Sequence, residues 1–360
     1  MKQYRVGILG ATGMVGQRLV TLLAHHPWFS VTVLAASSKS AGLPYHKAVE
    51  GRWSMDTPIP KDTHDMPVYD LQADAHKITS EVDFVFCAIN MTKDEIRTLE
   101  EHYALLECPV VSNNSAHRWT EDVPMIVPEI NPEHTALIPS QRKRLGTKRG
   151  FIAAKSNCSL QSYVPALHPL RKFGLEKVLV CTYQAISGAG KTFDSWPDMI
   201  DNCIPYIAGE EEKSESEPMK LWGTIREGVL IPASTPSITA QCIRVPCSDG
   251  HLAACFMKFK EGHKPTVEQI KVEWQQFYDS TLRSRLPSAP KHFLHYFSCD
   301  DRPQTKLDRM TENGMAISVG RLRPDTQYDY KFVCLSHNTL RGAAGGAILL
   351  AELLCAEGYI

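Results

Sequence analysis

Tyr4-Arg5-Val6-Gly7-Ile8-Leu9-Gly10-Ala11-Thr12-Gly13-Met14-Val15-Gly16 is the stretch that decides the fold class. Its first six residues form a short apolar strand, and glycines at 10, 13 and 16 follow at once. Gln17 to Leu23 then has the apolar spacing of a helix, which stops near His25-His26-Pro27. Strand, glycine turn and helix are the parts of a dinucleotide site. Glycine lets the backbone approach a pyrophosphate, which sits at the positive end of the helix. The spacing is GxxGxxG, a departure from GxGxxG, so the strand before it and the helix after it carry the reading.

Working outward, Val31 to Ala36 reads as a second strand that ends in Ser37-Ser38-Lys39-Ser40. An NAD site would place Asp or Glu here for the ribose 2′-hydroxyl, yet no acid occurs between Gly16 and Glu50. Hydroxyls with Lys39 suit a 2′-phosphate, so the expected cofactor is NADP. Val82 to Ala88 and Pro109 to Ser112 read as further buried parallel strands with polar residues at their carboxyl ends. Asn113-Asn114-Ser115-Ala116-His117-Arg118 follows the second of these and suits a phosphate or carboxylate. The basic run Gln141 to Arg149 reads as a solvated connector towards another domain.

A chain of 360 residues predicts two domains. The charge is balanced at −1 with both signs interspersed, which argues against a nucleic-acid or membrane surface. No apolar run is long enough for a membrane span, and no signal peptide precedes the strand at Tyr4. Eleven cysteines lack CxxC pairs and metal-type spacing, so no metal is expected. Their scatter through apolar strands suits reduced thiols and a cytoplasmic protein.

The chemistry is expected in the second half. Phe151 to Ala154 reads as a strand, and Leu160 to Leu170 as a helix, with Ser156-Asn157-Cys158-Ser159 between them. A cysteine entering a helix has its thiolate favoured by free N–H groups and the dipole. Beyond Glu176 the strands alternate: Lys177–Tyr183, Leu252–Phe259, Met315–Val319 and Tyr328–Leu335 predict a mixed, largely antiparallel sheet. Helices are expected around Trp196–Cys203, Lys213–Gly223 and Val267–Tyr278. Gln184 and the turn Ser187-Gly188-Ala189-Gly190 end the first of these strands. Glu210 and Lys213 share a helix face and suit opposite charges side by side. Arg244 lies on a short strand, and His251, just before another, is the candidate base for Cys158.

Seven segments in order, GATGMVG, SNNSAHR, SNCS, YQAISGAG, DNCIPYIAGEEEK, RVPCSDGH and HNTLRGAAGG, resemble the aspartate-β-semialdehyde dehydrogenase family. The resemblance spans Tyr4 to Ile360 and is nearer the archaeal and fungal branch. It implies an α/β chain: a Rossmann-type NADP-binding domain plus an α+β catalytic and dimerisation domain. Residues 1–157 with the C-terminal helix, 338–360, would form the first domain, and 158–337 the second. Cys158 would be the nucleophile, His251 the general acid/base, Gln184 a substrate-orienting group, and Asn157 a neighbour of the acyl oxygen or nicotinamide. Arg244 would hold the α-carboxylate and Glu210 the α-ammonium, while Arg118, Asn113 and Lys213 would bind phosphate. Gly10, Thr12, Gly13, Met14, Val15 and Gly16, then Ser38, Lys39, Ser187, Gly188, Ala189, Gly190 and Asn338, would contact NADP.

The implied activity is the reversible interconversion of L-aspartyl 4-phosphate and L-aspartate 4-semialdehyde plus phosphate. It would run through a cysteine thioester, in biosynthesis of lysine, threonine, methionine and isoleucine, with a homodimer or homotetramer as the assembly. Two alternatives make different demands. A malonyl-CoA reductase has no substrate amine for Glu210, and a non-catalytic NADP-binding redox sensor has no need of Cys158 and His251 together.

Overall fold

The computed structural model describes residues 3–277, 282 and 285–360. Six strands form the first sheet: β1 (Tyr4–Leu9), β2 (Phe29–Ala36), β3 (Val68–Asp70), β4 (Phe84–Cys87), β5 (Val110–Ser112) and β6 (Ile152–Ala154). Their order is β3-β2-β1-β4-β5-β6, with every pair parallel. The order reverses at β1/β4, so the carboxyl ends of these two strands open the crevice in which such sheets bind ligands. β4 is buried on both faces, as continuous Phe84-Val85-Phe86-Cys87 demands.

The helix Met14–Leu23 starts directly on the glycine turn. Gly10 has φ +88°, and a Cβ there would lie 2.4 Å from the Ala88 carbonyl oxygen. A Cβ on Gly16 would lie 2.1 Å from the Gly10 oxygen. The first and third glycines are therefore fixed by close packing of helix, turn and β4. The C-terminal helix Gly345–Ala356 buries almost its whole surface. Its Ala347, Ile348, Leu350 and Leu354 share one core with Val6, Ile8, Phe84 and Phe86, so the end of the chain packs on the first sheet.

The second sheet contains β7 (Leu175–Gln184), β10 (Ser237–Arg244), β11 (His251–Phe259), β12 (Leu294–Phe297), β13 (Ile317–Pro324) and β14 (Tyr330–Ser336). The intervening β8 (Thr224–Arg226) and β9 (Val229–Ile231) pair as a separate hairpin. The order β10-β7-β11-β14-β13-β12 is antiparallel in its three inner pairings and parallel at both edges. Helices Leu160–Leu167 and Val267–Gln276 bury apolar residues with one face of this sheet. On the other face Leu179, Cys181, Tyr183, Leu252, Ala254 and Phe256 remain partly exposed.

Several expected elements differ. Trp196–Cys203 contains only a single turn, Pro197–Met199. Pro197 holds Trp196 extended at φ −147°, and Asp201 has φ +57°, so no helix continues. Gln141–Arg149 is no solvated connector. Ile138–Leu145 is a helix whose buried Gln141 donates to the Asp122 and Ile152 carbonyls and accepts from Ile152 N–H. The helix after Cys158 is α-helical only to Leu167, then tightens into a 3-10 run, His168–Phe173. The expected end of the 267 helix at Tyr278 lies outside the described residues.

Gly16→Ala is expected to destabilise the chain by about 1–3 kcal/mol through overpacking. A urea unfolding midpoint unchanged from the parent would contradict this.

Candidate active site

Cys158 lies in the turn between β6 and the helix that begins at Leu160. Asn157 builds this turn, its Oδ1 accepting from Ser159 N–H at 2.8 Å and Ser159 Oγ at 2.7 Å. Its other groups are held by two carboxylates on the helix Glu210–Leu221. Asn157 N–H donates to Glu217 at 2.7 Å, and its Nδ2 donates to both Glu210 oxygens at 3.0 and 3.1 Å. A spacing of seven residues puts both carboxylates on one helix face. The start of the C-terminal segment closes in from the other side: a Cβ on Gly342 would lie 2.8 Å from Cys158 Cβ.

His251 opens β11 and is fully buried, with Nε2 3.5 Å from Cys158 Sγ. Its Nδ1 accepts from Ala185 N–H at 3.1 Å. Burial, followed by the nearby Arg244 and His337, pushes the imidazole down to about 3, so it is neutral at ordinary pH. The Ala185 carbonyl accepts from Arg244 Nη1 at 2.6 Å. A Cβ on Gly188 would lie 2.8 Å from Arg244 Nη1 and 3.0 Å from His251 Nε2, so this turn admits only glycine without displacing them. Asn338 ties the same turn down, donating to Ser187 Oγ and accepting from Gly250 N–H.

The Cys158 thiol is pushed up, first by burial and then by Glu210, against the pull of Lys155, Arg118 and Arg244. The expected helix-start preference for thiolate is thus outweighed by desolvation in the free protein. Glu210 also accepts from Lys213 Nζ at 2.7 Å and Gln184 Nε2 at 3.3 Å. The structure therefore brings Cys158, His251 and Arg244 into one hydrogen-bonded group and Asn157, Gln184, Glu210 and Lys213 into another, the two joined along the chain at Asn157–Cys158 and Gln184–Ala185.

Arg118 joins it from the first sheet. Its guanidinium donates to Glu217 at 2.9 Å, to the Lys155 carbonyl at 2.9 Å and to the Asn113 carbonyl at 3.2 Å. Both ends of the Asn113 side-chain amide are buried with no hydrogen-bond partner among the described residues, as suits a group awaiting a ligand. Glu217 was not singled out from the sequence, because an acidic helix face ordinarily means solvent. Lys155, whose ammonium burial lowers to about 7, carries no sequence signal of a role either. Arg341 went unnoticed too; it is buried and pairs bidentately with Glu129 at 2.6 and 2.5 Å.

A cleft of about 760 Å³ runs beside Thr12, Gly13, Met14 and Gln17 and past Arg52, Trp53 and Ser54 to Gly190 and Thr192. Ser187 lines its continuation with Arg18 and Lys191. Gln17 fixes the far wall, donating to the Thr12 and Arg52 carbonyls and accepting from Ser54 N–H. Val15 lies instead against the core, and Gly188 and Ala189 belong to the turn over His251. Ser38 and Lys39 stand exposed past the end of β2, outside that lining. The glycine turn, the cleft and the absence of an acid past β2 fit NADP.

Comparison with known proteins matches two family models along the chain. Residues 5–138 match the family model "Semialdehyde dehydrogenase, NAD binding domain" and residues 167–341 match "Semialdehyde dehydrogenase, dimerisation domain". The aspartate-semialdehyde dehydrogenase of Archaeoglobus fulgidus is 42% identical over 359 residues, 99% of this chain and 100% of the relative. That of Aspergillus fumigatus is 39% identical over 363 residues, 99% of this chain and 98% of the relative. The crystal structure of the Candida albicans enzyme with NADP superposes with a TM-score of 0.88 at 37% identity, covering 100% of both chains. By both domain matches and by identity along nearly its whole length, the chain belongs to the aspartate-semialdehyde dehydrogenase family.

Proposed function

We propose that this chain interconverts L-aspartyl 4-phosphate and L-aspartate 4-semialdehyde plus phosphate, using NADP. The observation that carries the reading is the Cys158–His251 pair at 3.5 Å, set among two buried arginines and the buried carboxylate of Glu210. One nucleophile, two anion-binding cations and one acid match a substrate with an electrophilic carbonyl, a carboxylate, an amine and a phosphate.

Cys158 attacks the carbonyl and carries the aspartyl group as a thioester. Bound NADP supplies the hydride acceptor in one direction and the hydride donor in the other. His251 borders both the sulfur and the oxygen of the adduct. A hydrogen-bond donor placed at such an oxygen is worth about 3 kcal/mol. Arg244 receives the α-carboxylate and Glu210 the α-ammonium, whose arrival displaces Lys213 towards phosphate. Arg118, with Asn113, receives phosphate. Gln184 and Asn157 set the pocket wall through Glu210.

The glycine turn, Thr12, Met14, Ser187, Gly190 and Asn338 face or border the cofactor cleft, and Ser38 and Lys39 reach for the 2′-phosphate. Residues 1–157 with 338–360 make the nucleotide unit and 158–337 the catalytic unit. The packing of the C-terminal helix on the first sheet supports that division. The partly exposed apolar face of β7 and β11 supports homodimer formation through the second sheet. Free cysteines throughout support a reducing, cytoplasmic setting, and no helix among the described residues is long and apolar enough to cross a membrane.

Purified protein is expected to turn over NADP⁺ reduction with L-aspartate semialdehyde only when phosphate or arsenate is present, stopping after a single round without them. Full activity in Cys158→Ala would remove the covalent route. Glu210→Gln should raise KM for the semialdehyde at least about tenfold through the lost charged contact while barely changing KM for NADP⁺; equal changes would take the amine away from Glu210. Glu217→Ala leaves Arg118 buried and uncompensated, an expected loss of about 3–5 kcal/mol in urea unfolding. A loss below about 1 kcal/mol, the range of exposed pairs, would show that the pair holds nothing together.

A further inference from the structure

We infer that Glu100 is a positioning residue of the phosphate subsite: its carboxyl anchors the turn Ser112–Asn114 and so presents the Asn113 amide to phosphate. This rests on the functional reading above, in which Asn113 and Arg118 receive phosphate, and it adds a residue that touches no substrate. Glu100 lies on the helix Lys93–Leu105, among Ile96, Leu99, Tyr103 and Ala104. Those four share a core with Val85 and Val110 of the first sheet. An acid on this apolar face breaks the helical pattern, and Glu100 is fully buried there.

The contacts of one oxygen account for its place. Ser112 Oγ donates to Glu100 Oε1 at 2.5 Å, and Asn114 Nδ2 donates to the same atom at 3.0 Å. Ser112 Oγ in turn accepts from Asn114 N–H at 3.1 Å, which closes the bend. The residues on both sides of Asn113 are therefore pinned to a single atom. Asn113 itself is tied only through its main chain. Its N–H donates to the Cys87 carbonyl at 2.8 Å, and its carbonyl accepts from Arg118 Nη2 at 3.2 Å. Both ends of its side-chain amide stay buried and without a partner among the described residues. Such an amide is costly until a ligand completes it. Nδ2 suits a phosphate oxygen, and Oδ1 suits the hydroxyl of monohydrogen phosphate.

The second oxygen fits the same role. Glu100 Oε2 is buried with no hydrogen-bond partner among the described residues. Burial pushes the carboxyl up, against the pull of Ser112, Asn114, His117 and Cys87. Oε2 is the oxygen left to carry a proton, while Oε1 stays free to accept both tethers. A protonated anchor adds no negative charge beside a site for an anion, where a carboxylate would repel phosphate.

The test is steady-state kinetics of the full chain, varying phosphate, semialdehyde and NADP⁺ in turn, for the parent, Glu100→Gln, Glu100→Ala and Ser112→Ala. Gln keeps an Oε1 acceptor and should hold KM for phosphate within about threefold of the parent. Ala removes both tethers and should raise that KM at least about tenfold, leaving KM for semialdehyde and NADP⁺ within about twofold. A general loosening of the fold would move all three constants together. Ser112→Ala deletes one hydroxyl and reads the same anchor if Glu100→Ala does not fold; its KM for phosphate should rise at least about threefold. An unchanged KM for phosphate in Ser112→Ala or in a folded Glu100→Ala would overturn the inference. So would equal rises in all three constants, or a Gln variant as weak as Ala. A parent that turns over without phosphate or arsenate would sink the functional reading, and this inference with it. Phosphate-dependent turnover in the parent therefore separates failure of the anchor from failure of the assigned reaction.

Discussion

Asn157 is gripped by two carboxylates seven residues apart on one helix, and the rest of the site depends on that grip. Glu217 takes its backbone N–H and Glu210 its side-chain amide, which fixes the residue immediately before the nucleophile. Each carboxylate then reaches outward. Glu217 pairs with Arg118 from the first sheet, and Glu210 meets Lys213 on its own helix and Gln184 at the end of β7. The helix Glu210–Leu221 therefore ties the parallel sheet, the nucleophile turn and the mixed sheet into one rigid frame. Buried carboxylates are costly unless fully hydrogen-bonded, and here their contacts run through the groups that the chemistry needs.

The same frame sets the electrostatics. Burial and Glu210 hold the resting thiol protonated, while Lys155, Arg118 and Arg244 wait on the opposite side. A substrate that neutralises Glu210 with its own ammonium removes the opposing charge at the moment of attack. On the proposed reading the nucleophile is matched to a substrate bearing an amine, and Glu210 is the residue proposed to give this pocket its specificity.

Much of this was legible before any coordinates. The glycine turn announces itself through local backbone demands: Gly10 and Gly16 leave no room for a Cβ. Cys158, His251, Gln184 and Glu210 stand in short, tightly composed segments, and the structure brings them together as their spacing and the family resemblance imply. Trp196–Cys203 misled because Pro197 suits a helix start, while Asp201 at φ +57° leaves the helical region after a single turn. Gln141–Arg149 misled because five basic residues mask a buried Gln141 that bonds to Asp122 and Ile152. Glu217 and Lys155 were invisible for a related reason. Their meaning comes from partners 99 and 60 residues away in one case, or from burial in the other, and neither leaves a local pattern. The orientation of His251 is likewise decided by one distant amide, Ala185 N–H.

The central claim is that Cys158 carries the aspartyl group as a thioester between hydride transfer and phosphate. Mass spectrometry of protein quenched in acid after mixing with L-aspartate semialdehyde and NADP⁺, with phosphate withheld, tests it most directly. The account predicts one aspartyl group per chain on the peptide containing Cys158, released on adding phosphate. An unmodified Cys158 under these conditions, or an acyl group on another residue, would contradict it.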